Sequence, residues 1–321
     1  MMFNPIKNKY ELMWFVSVSN GCLNADTTGI PRVDLETGTG LVSDVSTKRD
    51  IRDTIPILYP NVPGMDISVK KGIAMTEFVG SLIEEAGGKK EKDKKANAKM
   101  QASCRETVCQ RYIDARAFGA TLTGSGNNAG AFRGPVQVEI GETVSPVDAR
   151  LLDMTRVCHD TDAENGTFGN KWYIPFGLYA IKAHVNPCVA EQTGFSEDDL
   201  QVILEAIYHM YDMKASASTG AISLVSPVIL FKHVGLSDAK TNAEQNERSA
   251  KLGCAHAYKL FEQVVVKEKE TLDHAPRSHR DYEATINFNG IPRGVEIGFY
   301  NGFSTSWGKL PNDEDWFSPA E

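Results

Sequence analysis

The chain has 321 residues, enough for one large domain or two ordinary ones and for a sizeable core. Its 41% hydrophobic and 24% charged residues are a globular composition, which excludes wholesale disorder, a collagen-like repeat and a disulfide-stapled miniprotein. The 34 basic residues against 42 acidic ones leave a net charge of −8, which excludes a surface coated in positive charge but not a local basic groove.

Residues 11–18 are largely apolar and partly β-branched and run into Asn20-Gly21, which predicts a strand and a turn. Gly21, Gly29, Pro31, Gly38 and Gly40 make residues 20–40 a long loop. Val45, Lys48, Arg49 and Arg52 then recur at helical spacing, so a short helix carries three cations on one face, with Ser43 or Asp44 as its cap. Residues 75–86 predict a second helix ended by Gly87-Gly88. The lysine-rich run from Lys89 to Lys99 reads as a solvated loop or helix end rather than a nucleic-acid patch. Helical spacing resumes over 100–113, Ala117 to Leu122 predicts a strand, and Gly124 to Gly130 a flexible glycine loop.

Further along, Pro135 to Ile140 predicts a half-buried strand with Val136, Val138 and Ile140 inward. Residues 160–170 read as a hairpin tip, and Trp172 to Val185 as a strand with Pro175 at an edge or bulge. Ser196 caps a helix to Met213 whose first turn is acidic. Val225 to Phe231 is a buried strand ending in Lys232-His233. Residues 237–250 read as a polar loop, and 284–299 as a final strand pair around Asn289-Gly290. This irregular alternation, without repeats, predicts an α+β fold with long insertions.

Enzyme signatures are missing: no phosphate-binding P-loop, zinc-peptidase, serine-hydrolase or zinc-deaminase motif occurs, and the Gly124–Gly130 spacing does not fit a dinucleotide. The scattered histidines point to no metal, and no cofactor is expected. None of the cysteines 22, 104, 109, 158, 188 and 254 forms a CxxC pair, and they read as reduced thiols. No apolar run approaches the ~20 residues of a membrane helix, and residues 1–7 carry no apolar leader segment. A cytoplasmic protein without a membrane partner is expected, which makes the sequon Asn165-Gly166-Thr167 a chance match. The chemistry that remains is Lys48, Arg49 and Arg52 after a glycine-rich loop and near a helix N-terminus, a combination that suits phosphate. A solvent-facing stripe paired with Asp50 and Asp53 explains the same residues equally well on physics alone. Arg116 and Arg133, close to strand starts, extend the phosphate reading.

Four segments, in order and over nearly the whole chain, resemble the Cas seven family, the RNA-binding backbone subunit of type I CRISPR effector complexes, with type I-C closest. The first is Lys9-Tyr10-Glu11, a strand, Asn20-Gly21 and the stretch from Gly29 through Arg32 to Val45. The second is Lys48-Arg49-Asp50-Ile51-Arg52-Asp53. The third runs from Asp114-Ala115-Arg116 to Ala120 and from Asn128 through Arg133 to Gln137. The fourth is Ile174-Pro175-Phe176-Gly177-Leu178-Tyr179, followed by a helix and Leu230-Phe231-Lys232-His233.

The resemblance implies a single domain over 1–321 with an RRM-like (ferredoxin-like) palm. A helical fingers region is inserted at about 56–113 and a β-hairpin thumb at about 153–173. It implies a non-catalytic subunit that oligomerises head to tail along a CRISPR guide RNA and presents it for pairing with target DNA. Its partners are then the guide RNA, the target DNA strand, other copies of itself, and the large, small and five-prime handle-binding subunits. Carried over residue by residue, RNA contacts fall to Asn20, Arg32, Lys48, Arg49, Arg52, Arg116, Arg133, Lys232 and His233, and the thumb wedge to Met154, Phe168 or Trp172. The bottom-up reading agrees in kind, because a scaffold for variable guides must hold backbone while pairing reads sequence. No RNP1 motif is present, which favours groove binding over a stacking sheet.

The chain departs from the family in two places. Its loop Asn20-Gly21-Cys22-Leu23-Asn24-Ala25-Asp26 lacks a proline and a second glycine, and Ala215 to Thr219 replaces a stretch that often carries a basic residue. The tail around Trp307 and Trp316 matches nothing in the family. The alternative reading is a metal-dependent RNase of the type III backbone kind, using Asp26 as its loop aspartate. A third is an assembly protein that binds protein only.

Overall fold

Apolar side chains alternate onto both faces of residues 10–21, so that segment has to be a strand covered on both sides. It is the centre of the fold. The computed structural model describes residues 4–86, 94–124, 126–155, 168–311 and 316–319. In chain order the elements are β1 (Tyr10–Gly21), β2 (Thr39–Val42), α1 (Asp44–Leu58), α2 (Met75–Glu85), α3 (Lys94–Arg111), α4 (Ile113–Phe118), β3 (Gly119–Gly124), β4 (Asn127–Arg133), β5 (Val136–Val138), β6 (Gly141–Pro146), β7 (Arg150–Thr155) and β8 (Phe168–Val185). There follow α5 (Pro187–Thr193), α6 (Glu197–Lys214), β9 (Ala221–Leu224), β10 (Val228–His233), α7 (Ala243–Leu252), α8 (Ala257–Phe261), β11 (Val264–Glu268), β12 (Tyr282–Ile286), β13 (Val295–Tyr300), β14 (Thr305–Trp307) and β15 (Phe317–Pro319).

The main sheet is antiparallel and runs β14-β13-β10-β1-β8-β6-β2, with β5 and β7 also on β8 and β9 also on β1. One face of β1, with Leu12, Trp14, Val16 and Val18, lies under α1 and α6. There the Trp14 indole N–H donates to the Tyr211 hydroxyl at 2.9 Å, so the buried ring keeps its polar partner. The opposite face, with Met13 and Phe15, is closed by α8 and a second sheet in the order β11-β12-β15. Phe15 meets Trp316 edge to face at 5.4 Å, so the tail that the motifs left unmatched closes this core. A satellite core joins α2, α3 and the β3–β4 hairpin through Val79, Leu82, Val108, Leu122 and Ala129.

The mixed fold with one large antiparallel sheet agrees with the expected α+β class, but several elements differ from the sequence reading. Of the glycine loop, Gly124 ends β3 and Asn127 to Gly130 begin β4, because the two strands pair there as a hairpin. Residues 117–118 end α4 rather than begin a strand. Ile140 is exposed, since β5 stops at Val138. The polar stretch 237–250 contains most of α7, which buries only Ala250 and so left no apolar stripe to read. The strands at 282–286 and 295–300 are not partners: β12 pairs β11 and β15, while β13 pairs β10 and β14. Gly87-Gly88, Cys158, the sequon at Asn165 and most of the 160–170 tip lie outside the described residues.

Candidate nucleic-acid interface

The loop from residue 22 to 38 is held by its own side chains. Asp26 Oδ1 accepts the Thr28 and Ile30 N–H groups and the Thr28 hydroxyl, and Asp34 Oδ1 accepts the N–H groups of Glu36 and Thr37. Those bonds, the Thr28 hydroxyl first, hold the Asp26 carboxyl below its usual range. Asn24 Oδ1 accepts the Ser43 N–H at 3.0 Å and ties the loop to α1 at its cap. Of the two cap candidates, Ser43 and Asp44, it is Ser43 that caps the helix, accepting the Ser46 N–H.

On α1 the three expected cations divide. Lys48 pairs with Asp44 at 2.9 Å, and Arg49 pairs with Asp53 while donating to the Val69 carbonyl at 2.9 Å. Arg49 and Asp53 are both substantially exposed, and a pair of that kind holds by less than about 1 kcal/mol, so an incoming phosphate can displace it, whereas Lys48 is only 14% exposed beside the more open Asp44. Arg52 turns inward instead. Its Nε donates to the buried Asp114 at 3.0 Å and its guanidinium lies 5.0 Å over the Phe118 ring. Asp114 is further held by the Ser68 N–H and hydroxyl. Asp50 pairs with Lys214 at 2.7 Å rather than with the stripe, and Lys214 also donates to the Leu23 carbonyl. That ammonium at the end of α6 occupies the region where the 215–219 segment carries no basic residue.

The Asn20-Gly21 turn interlocks with the 216–220 turn. Asn20 is exposed with φ of 51°, and a Cβ on Gly21 would lie 1.9 Å from the Thr219 carbonyl oxygen. Gly220, at φ of 72°, closes the crossing from the other side. Pro175 of β8 falls where β1 reaches Asn20, between the pairs Ser19↔Phe176 and Gly21↔Ile174. Just beyond, β8 leaves β1 and pairs with β7 from Arg150↔Tyr173 to Thr155↔Phe168. This hairpin is exposed along β7, with Leu151, Leu152 and Met154 in solvent, and Lys171 at its foot donates to the Ala217 carbonyl. Trp172 is half-buried opposite Leu151, and the Phe168 side chain lies outside the described residues.

The structure turns three of the expected RNA contacts into the fold. Arg116 is 1% exposed and grips Asp199 at 2.6 and 3.1 Å, so it is spent on the interior and out of reach of phosphate. Arg52, bound to buried Asp114, is likewise structural. His233 is fully buried, its Nδ1 accepts the Cys254 N–H, and burial pushes its pKa down to about 4, so the ring is neutral. The Lys9-Tyr10-Glu11 and Lys232-His233 motifs thus describe one packed cluster. Buried Glu11 pairs with Lys9 at 2.8 Å and with His184, and His184 reaches on to Glu139 at 2.6 Å. Lys232 lies between the Tyr10 and Trp307 rings, at 5.8 and 5.7 Å. Arg32 on the loop and Arg133 on β4 are exposed.

The family model for CRISPR-associated protein Cas7 matches residues 8–287. The chain belongs to the Cas7 family. A solved structure titled "CRISPR RNA-guided surveillance complex, pre-nicking" contains a chain 16% identical to this Cas7 protein, with a TM-score of 0.47 over 72% of this chain and 79% of that one. A second, titled "CRISPR RNA-guided surveillance complex", gives 14% identity and a TM-score of 0.41 over 79% and 80%. No curated protein matches the chain. No helix among the described residues is long and apolar enough to cross a membrane.

Proposed function

We propose that this Cas7 chain is a non-catalytic, guide-RNA-binding backbone subunit of a type I CRISPR effector complex, closest to type I-C. Copies stack head to tail along the guide in the cytoplasm, beside a large, a small and a handle-binding subunit, and leave guide bases open to target DNA. The observation that carries this is the track formed by the start of α1, the Asn20 turn and the foot of the β7–β8 hairpin. It carries Lys48 and Arg49, whose carboxylate partners are exposed, and the exposed Asn20 and Arg32, side chains suited to holding backbone phosphate. Exposed Arg133 on β4 is a further RNA contact in this reading.

The strand order β10-β1-β8-β6, with α1 following β1 and α6 joining β8 to β9 and β10, supports an RRM-like palm of the split βαβ type. Unlike an open RRM sheet, its second face is covered by β11-β12-β15, so RNA runs beside the palm rather than across it. The satellite core supports a fingers insertion that extends past residue 113 to β4. The β7–β8 hairpin supports a thumb over about 150–173, with Met154 exposed as its wedge. The RNase alternative is disfavoured because one oxygen of Asp26, Oδ1, already holds its own turn, as a turn aspartate does.

The test is binding of unrelated guide RNAs across a salt series. Lys48→Ala with Arg49→Ala weakens every guide alike and lowers the slope of log affinity against log salt by about 1.4, at ~0.7 per single-strand phosphate. Unchanged affinity in this pair removes the site. Metal-dependent RNA cleavage lost in Asp26→Asn would reinstate the nuclease.

A further inference from the structure

Between the foot of the β7–β8 hairpin and the β11–β12 connection lies a cleft of about 560 Å³, the size of a nucleotide site. Asn20, Arg150, Pro175, Pro276, Arg277 and Tyr282 line it, from parts of the chain far apart in sequence. The connection contributes the run His274 to Arg280, which holds two arginines and two histidines and no acid. Its backbone is fixed in advance. The Asp281 carboxylate accepts the N–H groups of Arg277 and Ser278 at 2.7 and 3.0 Å, and Ser278 caps the following turn. Arg277 is therefore held at the cleft by its main chain, while its exposed guanidinium has no partner among the described residues. Across the cleft, Arg150 pairs with Asp148 at 2.8 Å, and both side chains are more than half exposed, 58% and 69%. A pair so exposed yields to a better anion. The cleft thus offers two forked guanidiniums, an exposed amide at Asn20 and proline ring surfaces, with one replaceable carboxylate.

We propose that this cleft seats a phosphodiester of a single-stranded nucleic acid, with Arg150 and Arg277 as its ligands and the proline rings against the sugar. The proposal rests on the guide-RNA reading and carries the track past Asn20 onto the C-terminal part of the chain, which no matched motif assigned to RNA. The guide and the target DNA strand present the same phosphodiester, so both enter the test.

The experiment uses the full chain assembled with its partner subunits. Guide RNAs carrying single 4-thiouridines, or target DNA carrying single 4-thiothymidines, are irradiated and the crosslinked peptides are identified by mass spectrometry. Crosslinks to residues 274–280 from one strand confirm the seat and name that strand. Arg150→Ala with Arg277→Ala then weakens that strand roughly tenfold at moderate salt and lowers its salt slope by about 1.4. Arg277→Lys, which keeps the charge but loses the fork, recovers part of the affinity. If wild-type complexes hold RNA but neither strand crosslinks here and the double variant binds normally, the cleft assignment falls and the guide-RNA reading stands. If hydrogen exchange shows 274–280 protected by a partner protein in complexes free of nucleic acid, and no strand crosslinks there, the cleft is a docking site and the proposal is overturned. If wild-type complexes hold no RNA at all, both readings fail together.

Discussion

Arg116 separates the structural from the functional account most cleanly, because family resemblance assigns it to RNA and the structure buries it. Its guanidinium forks onto Asp199 at 2.6 and 3.1 Å, and it donates to the Cys109 carbonyl at 2.8 Å. The two charged side chains are 1% and 3% exposed. Asp199 is at the same time the capping-box residue of α6, so the pair locks α4 to the start of the helix that covers the palm. Removing one partner of such a pair leaves an uncompensated buried charge and costs about 3–5 kcal/mol. At a urea slope of ~3 kcal/mol/M, Arg116→Met therefore lowers the unfolding midpoint by about 1–1.7 M. Adding Asp199→Asn, which removes the stranded charge, recovers part of that loss. RNA affinity per folded molecule stays within about twofold of wild type. Circular dichroism across a urea series, paired with RNA titration under fully native conditions, reads both quantities. An unchanged midpoint together with a tenfold loss of RNA affinity would refute the assignment.

Three further outcomes follow from the same geometry. Lys48→Ala with Arg49→Ala moves the urea midpoint far less than Arg52→Ala, since each loses an i,i+4 pair of about 0.3–0.5 kcal/mol and leaves behind an exposed carboxylate, whereas Arg52→Ala strands buried Asp114. Gly21→Ala drives a methyl into the Thr219 carbonyl and lowers stability by roughly 2–4 kcal/mol, read as a fall in melting temperature; a neutral variant would mean that the two turns do not cross. The histidines set opposite limbs of the pH profile. Burial holds His233 at about 4, below the ~6.5 of the unfolded chain. Its contribution is present above ~6.5 and is lost as pH falls towards 4, and His233→Gln flattens that limb. His184 is raised, first by its hydrogen bond to Glu11. Its contribution is full below ~6.5 and is lost as pH rises through its folded pKa, and His184→Gln flattens the upper limb. Urea midpoints measured from pH 4 to 9 show whether each limb responds only to its own variant.

Where local chemistry decides the structure, the sequence was legible. Apolar residues on both faces made β1 a strand, and Ser196 with Asp199 made the start of α6 readable to the residue. The cap of α1 was readable to within one residue, as Ser43 or Asp44, and is Ser43. What escaped was long-range. Nothing near Arg52 or Arg116 announces that Asp114 and Asp199 lie against them, and an arginine beside a strand looks alike whether it faces phosphate or a buried carboxylate. The polar α7 hid because a helix that buries one alanine has no stripe. Strands β12 and β13 were visible, but their membership of different sheets is fixed by packing on Phe15 and its neighbours, which no local pattern encodes. Arg277 was missed because its importance comes from a cleft assembled from distant segments.

An acidic protein that holds RNA has to avoid every other polyanion, and the pairing on α1 accounts for how it does so. Lys48 and Arg49 are never bare: each rests on an exposed carboxylate one turn away. A phosphate gains only the difference between its own contact and the pair it displaces, a pair worth less than about 1 kcal/mol. One such exchange gives little affinity. A net charge of −8 spread over the remaining surface opposes casual encounters with nucleic acid. If copies stack along the guide as proposed, affinity comes from repetition, because each copy makes the same small exchange and each bound neighbour raises the effective concentration for the next. On our reading, weak cation sites on an acidic body are what allow a filament to be stable on its guide while a single copy stays off other RNA. Association should accordingly rise steeply with guide length, whereas a strand that spans one copy should bind poorly at physiological salt.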